Sequence, residues 1–203
     1  MADFLQVYRA VSPEAFSGER IPYRNTRRPP GNVPYLVDNL WEWARPEEYP
    51  NRRFAAFASP TPELACKAVG PGSRAYRVEF AGSYRLCQVK GYEDSKDHPE
   101  VKTLRRLLFQ KFGRGWPSEP LHHKVNPDGS GCAGVGRLFI PCLTKDEVEQ
   151  IFQENALLRN IRDEIHHAIR YWDVVRLLQP SEAVPDPRGE IFFEAYDGYY
   201  LRA

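Results

Sequence analysis

Three short stretches carry residue types that could do chemistry. Tyr8-Arg9-Ala10 lies in an early β-rich run, Phe57-Ala58-Ser59 closes a second, and Glu190 opens the last good one, EIFF. Arginine offers phosphate a planar fork of donors. A serine hydroxyl can hydrogen-bond a carboxylate and orient it. A carboxylate can stabilise positive charge as it develops. Taken singly, Arg9 reads as a surface or salt-bridge arginine, Ser59 as a strand-end serine and Thr61 as a helix cap. Glu194 lies four residues beyond Glu190, and even spacing in a strand places both on one face. Glu154 falls inside a helical pattern, where a carboxylate is usually part of a solvated face.

Other motifs weaken on inspection. GSGCAG (129–134) matches GxGxxG, but the expected order of strand before and helix after is absent, so it reads as a loop. His122, His123, Cys132 and Cys142 have no common zinc spacing, so no metal is expected. His166 and His167 are adjacent rather than four apart, so a zinc-protease helix is not supported. Lys102, Arg105, Arg106, Lys111 and Arg114 put basic charge on or near one helix, either a phosphate contact or a solvated face.

These residues need a scaffold. A chain of 203 residues that is 42% apolar and 27% charged suits one soluble domain. A net charge of +1 argues against a dedicated nucleic-acid binder. No run approaches a membrane span and no secretory signal is present, so four reduced thiols in a cytoplasmic protein, or one exported without a signal peptide, are expected. Phe4 to Val11 reads as a strand, 17–34 as a long loop and YLVDNLWEWA as a helix. Arg53 to Ser59 reads as a strand, and Thr61-Pro62-Glu63 starts a helix. AYRVEF and YRLCQV are strands, and 101–112 is an amphipathic helix. Then 113–136 is a loop, 136–142 a possible strand, and one or two helices follow Thr144. EIFFEAYDGYYLRA reads as a hairpin around Asp197-Gly198. The sum is an α+β domain over 1–203, with a helical and loop insertion at about 92–189 before the last hairpin.

In their order, the three stretches together with NLWEWARP (39–46) resemble the mono-ADP-ribosyltransferases, specifically the enzymatic subunits of the cholera and pertussis toxins. That family begins with a strand reading Tyr-Arg-Ala or Tyr-Arg-Tyr. It continues with a helix such as Asn-Leu-Tyr-Asp-His-Ala-Arg-Gly and a strand ending in Ser-Thr-Ser, and then reaches a catalytic glutamate. Asn39, Leu40, Ala44 and Arg45 match; Trp43 takes the histidine position and Pro60 the middle Thr. The resemblance implies a split pair of β-sheets around an NAD cleft, with NLWEWARP walling it. It implies that Arg9, Ala10 and Ser59 bind NAD, that Ser59 orients the carboxylate, and that Glu190 is catalytic, with Glu154 and Glu194 as the other candidates. The activity implied is ADP-ribosyl transfer, a glycosyltransferase reaction, from NAD to a macromolecule, protein rather than nucleic acid. Such a protein would be a toxin or effector, with an inhibitory or immunity partner as its natural counterpart. Many toxins carry Glu or Gln two residues before the catalytic glutamate; Arg188 stands there. NAD hydrolysis, a degenerate binding module of the same fold and a nucleic-acid-acting protein are the alternatives.

Overall fold

The computed structural model describes residues 5–112, 134–179 and 186–203. The chain divides into two units, one of residues Met1–Thr26, Glu47–Ser95 and Val174–Ala203, the other of Arg27–Pro46 and Lys96–Asp173. It is a mixed α+β protein, as expected. The second unit takes in residues 96–173 of the expected insertion, and the helix of NLWEWARP belongs to the same unit.

Among the described residues, the first unit holds seven strands in two antiparallel sheets. β1 (Tyr8–Val11), β3 (Arg74–Phe80) and β7 (Tyr199–Arg202) form one in the order β1-β3-β7. β2 (Ala56–Ala58), β6 (Glu190–Ala195), β4 (Tyr84–Val89) and β5 (Val175–Leu177) form the other in the order β2-β6-β4-β5. A core that includes Val7, Tyr76, Val78 and Leu201 of the first sheet and Leu86, Ile191 and Phe193 of the second lies between them. Strand alternation therefore gives each sheet an inner face and an outer one.

The expected closing hairpin is not one. β6 and β7 leave the Asp197-Gly198 turn into different sheets, and β3 and β4 part in the same way across 81–83. The two crossings are tied together. Asp197 Oδ2 accepts from the Ser83 amide and hydroxyl, both at 2.8 Å, and the Ala81 amide donates to the Gly198 carbonyl at 3.0 Å. Gly198 has φ +80°, and a Cβ there would lie 2.5 Å from the Ile21 carbonyl. Gly198→Ala should therefore cost about 1–3 kcal/mol of unfolding free energy, measured by urea denaturation; a change below about 0.5 kcal/mol would show that the corner yields.

Helix α2 (Pro62–Val69) starts as its sequence predicts: Thr61 Oγ1 accepts from the Leu64 amide at 3.3 Å, with Pro62 in the first turn. It packs on β1 and β3.

The second unit is built from α1 (Tyr35–Trp43), α3 (Glu100–Phe112), α4 (Lys145–Glu154) and α5 (Ala156–Ala168). Thr144 and Glu147 form a reciprocal capping box at the start of α4. Asn155 ends α4 and caps α5, its Oδ1 accepting the amides of Leu157 and Leu158, each at 3.1 Å. The long periodic run is thus two helices. Residues 136–142 are not a strand; Gly134–Phe139 is a 3-10 turn.

Candidate active site

The strand order brings the stretches of interest side by side. Tyr8 and Ser59 form an antiparallel bridge, each amide donating to the other's carbonyl at 2.8 Å. β2 then pairs with β6, Ala58 opposite Ile191, and one further step of that register sets Ser59 opposite Glu190. Each such step is about 5 Å, so the backbone of the Arg9 strand and that of Glu190 are about two strand spacings apart.

Side chains sort by face. Arg9 alternates with Tyr8 and points to the inner side, its guanidinium 5.4 Å from the ring centre of Tyr199. Ala10 is buried on the opposite side of β1. Glu190 and Glu194 both lie on the outer face of β6, as their spacing predicts. The structure therefore brings the backbones of Arg9, Ser59 and Glu190 into one neighbourhood, with the Tyr8–Ser59 bridge as the bonded link, but turns the Arg9 side chain to the other face from Glu190.

Glu190 is held by donors that the sequence did not single out. Its Oε2 accepts from the Ser95 hydroxyl, from the Ser95 amide at 3.2 Å and from Arg52 Nη1 at 3.3 Å. Arg52 also donates to Ser95 Oγ at 2.9 Å, and its guanidinium lies 5.2 and 5.1 Å from the ring centres of Phe57 and Phe192. Arg52 and Ser95 are buried. Among the described residues every donor to Glu190 meets Oε2, so Oε1 is the oxygen open to another group. Ser95 rather than Ser59 grips this carboxylate. The one signal for Arg52 was the Arg52-Arg53 pair just ahead of an apolar strand; Ser95, in a polar loop, gave none.

The segment leading into Glu190 is also fixed. Gln88 Nε2 donates to the carbonyls of Asp186 at 2.7 Å and Gly189 at 3.2 Å, and its Oε1 accepts the Asp186 amide at 2.8 Å. Arg188 is exposed.

Glu154, another of the catalytic candidates, is an exposed residue at the end of α4, paired with Arg137 and Gln150. Those two partners, Gln150 first, hold its carboxyl below the usual range. His122, His123, Cys132, Arg114 and 129–133 of GSGCAG lie outside the described residues. Among the described residues no group of His, Cys, Asp or Glu is placed to hold a metal ion. Lys111 of the basic helix pairs with Glu164 at 2.7 Å.

NLWEWARP is the packed heart of the second unit. Asn39 Nδ2 donates to the carbonyls of Leu138 and Ile140, and its Oδ1 accepts the Leu143 amide. Trp43 is stacked on Phe152 at 4.7 Å, edge-on to His166 and beneath the Arg162 guanidinium, and its indole N–H donates to Glu149. Its ring is therefore spent on the helices rather than standing open for a flat ligand. Trp41 is fully buried, stacked on Tyr171 at 3.9 Å, with its N–H on Glu100 Oε2 at 2.8 Å.

His98 lies edge-on to Trp41 and Tyr171, and burial pulls its pKa below the ordinary value. The folded state thus favours neutral imidazole, and stability is lost as pH falls below about 6.5, the unfolded value. Nearby Glu100 has its carboxyl pushed up, by burial, and contributes with the opposite sign. His98→Gln separates the two. The stability advantage of wild type over the variant should shrink between pH 7 and 5, by at most about 1.4 kcal/mol per pH unit. Parallel pH dependences in urea denaturation would contradict this.

Comparison with protein-family models, with curated proteins and with solved structures gives no match. Among the described residues no helix is long and apolar enough to cross a membrane.

Proposed function

We propose that this chain is an NAD-dependent mono-ADP-ribosyltransferase acting on a macromolecular acceptor, protein rather than nucleic acid, with Glu190 as its catalytic carboxylate. The observation that carries the reading is the state of Glu190. It opens β6 opposite the end of β2, with one oxygen fixed by Ser95 and Arg52 and the other open. The bridge from Ser59, just past β2, to Tyr8 of the Arg9 strand supports the same reading, because it sets the ends of the three stretches singled out in the sequence near one another.

In this reading Oε1 of Glu190 accepts the 2′-hydroxyl of the nicotinamide ribose. As the nicotinamide–ribose bond breaks, its electron pair leaves with nicotinamide and positive charge grows on the ribose carbon. The fixed carboxylate stabilises that charge without having to reorient. The acceptor's nucleophile then bonds to that carbon and loses its proton to solvent; with water as nucleophile the product is free ADP-ribose. The pyrophosphate contact falls to Arg9, whose inner-face position makes it the part to test separately. If Arg9 binds phosphate, Arg9→Ala raises KM for NAD; if it only packs on Tyr199, thermal stability falls with KM unchanged.

The buried Arg52–Glu190 pair favours a second reading, a nucleotide-binding module without turnover, because the cation offsets part of the charge needed for catalysis. NAD labelled in its adenine separates the two. Label carried into protein of a cell extract is the expected result; label bound reversibly and recovered as intact NAD would support the module.

A further inference from the structure

Two carboxylates share the outer face of β6, and the proposed chemistry uses only one. The other, Glu194, is 6% exposed. Its Oε1 accepts the Tyr23 hydroxyl at 2.7 Å; its Oε2 accepts the Asn51 amide at 2.9 Å and lies 3.5 Å from the Tyr196 hydroxyl. A buried carboxylate is tolerated only with such donors, so Glu194 and the backbone at Asn51 hold each other in place.

Asn51 heads a tight turn. Its carbonyl accepts the amides of Phe54 and Ala55, both at 3.0 Å, and its Oδ1 accepts the Arg53 amide at 3.0 Å. Arg52 sits inside that turn, and from there its guanidinium reaches Ser95 and Glu190. Glu194 and Glu190 are four strand residues apart, about 13 Å along β6, too far for direct contact. A physical path between them runs instead from Glu194 to the Asn51 turn, to Arg52, and so to Oε2 of Glu190.

We propose that Glu194 is a positioning residue for Glu190, acting through the Asn51 turn and Arg52, and that it neither touches the substrate nor substitutes for Glu190. The proposal rests on the reading of Glu190 as the catalytic carboxylate. In Glu194→Ala the Asn51 amide loses its acceptor, the turn is held less firmly and Arg52 with it. In Glu194→Gln the side-chain oxygen still accepts the Asn51 amide while the amide group donates to the Tyr23 oxygen, so the anchor is kept.

The test has two arms. Nitrogen-edited NMR of the full chain reads the exchange of the Arg52 guanidinium protons with water, with no NAD present. Nicotinamide release gives kcat and KM. Glu194→Ala should lose the slow exchange of Arg52 and lower kcat about 10- to 100-fold with little change in KM; Glu194→Gln should restore both. If Glu194→Ala does not fold, Glu194→Asp, one methylene short of the turn, is expected to give the same loss. Slow exchange at Arg52 unchanged in these variants would overturn the proposal, even if stability fell. An absence of nicotinamide release by the wild type would overturn the catalytic reading alone, because the NMR arm still decides whether Glu194 controls Arg52.

Discussion

Glu190→Gln should lower nicotinamide release at saturating NAD by about 100- to 1000-fold while the protein stays folded. Three donors converge on Oε2 of Glu190. The oxygen of a glutamine would take that place, because its amide nitrogen has no lone pair for them. The NH2 group then faces the side on which the ribose hydroxyl must donate. The variant loses both the acceptor and the negative charge where the reaction needs them, so kcat falls more than KM rises. Arg52 loses its charged partner, and a modest fall in thermal stability accompanies the change. Glu154→Gln is the control: Glu154 is exposed and tied to Arg137, and its loss should leave the rate within about twofold. The reverse outcome, activity kept in Glu190→Gln and lost in Glu154→Gln, would move the chemistry to α4.

Trp41→Ala should be the most damaging substitution for stability in the second unit, at about 3–5 kcal/mol. The ring is fully buried against Tyr171, and removing it leaves a cavity that the surrounding helices cannot close. It also removes a donor from Glu100, whose carboxylate is itself buried and accepts the Arg170 amide as well. A buried acceptor left short of donors adds its own cost. Trp41→Phe separates the terms: it keeps most of the stack, loses the indole N–H and should cost about 1–3 kcal/mol. Urea denaturation of the three proteins decides; equal losses for Ala and Phe would mean that the hydrogen bond, not the packing, dominates.

Elements that carry their own stop and start signals were legible in the sequence. Thr61-Pro62 and the Thr144–Glu147 pair satisfy their helix ends with side chains three residues away, which is information a local reading can use. Partners distant in the chain were not legible. YRLCQV and EIFFEA read correctly as strands, yet nothing local says that each leaves its neighbour for another sheet. The Ser83–Asp197 tie that fixes those crossings spans 114 residues. Gly136–Cys142 looks like a strand because it is apolar, but its first residues belong to the 3-10 turn Gly134–Phe139, and the carbonyls of Leu138 and Ile140 are taken by Asn39, 99 and 101 residues earlier. Val175–Leu177 carries no strand signal of its own, because it follows directly on a helical period.

The candidate site divides in the same way. Glu190 at the mouth of a strand, and Glu194 on its face, follow from spacing alone. The grip of Ser95 and Arg52 on Glu190 depends on two turns meeting the start of β6, and no pattern in the sequence reports that. Trp43 stands at the histidine position of the motif, on a helix expected to wall a cleft, and its packing on Phe152 shows where the tertiary environment took it instead.

The measurement that tests the central claim most directly is nicotinamide release from NAD by the wild-type protein, alone and with cell extract. The account predicts release, faster when the extract supplies an acceptor. No release under either condition would contradict it.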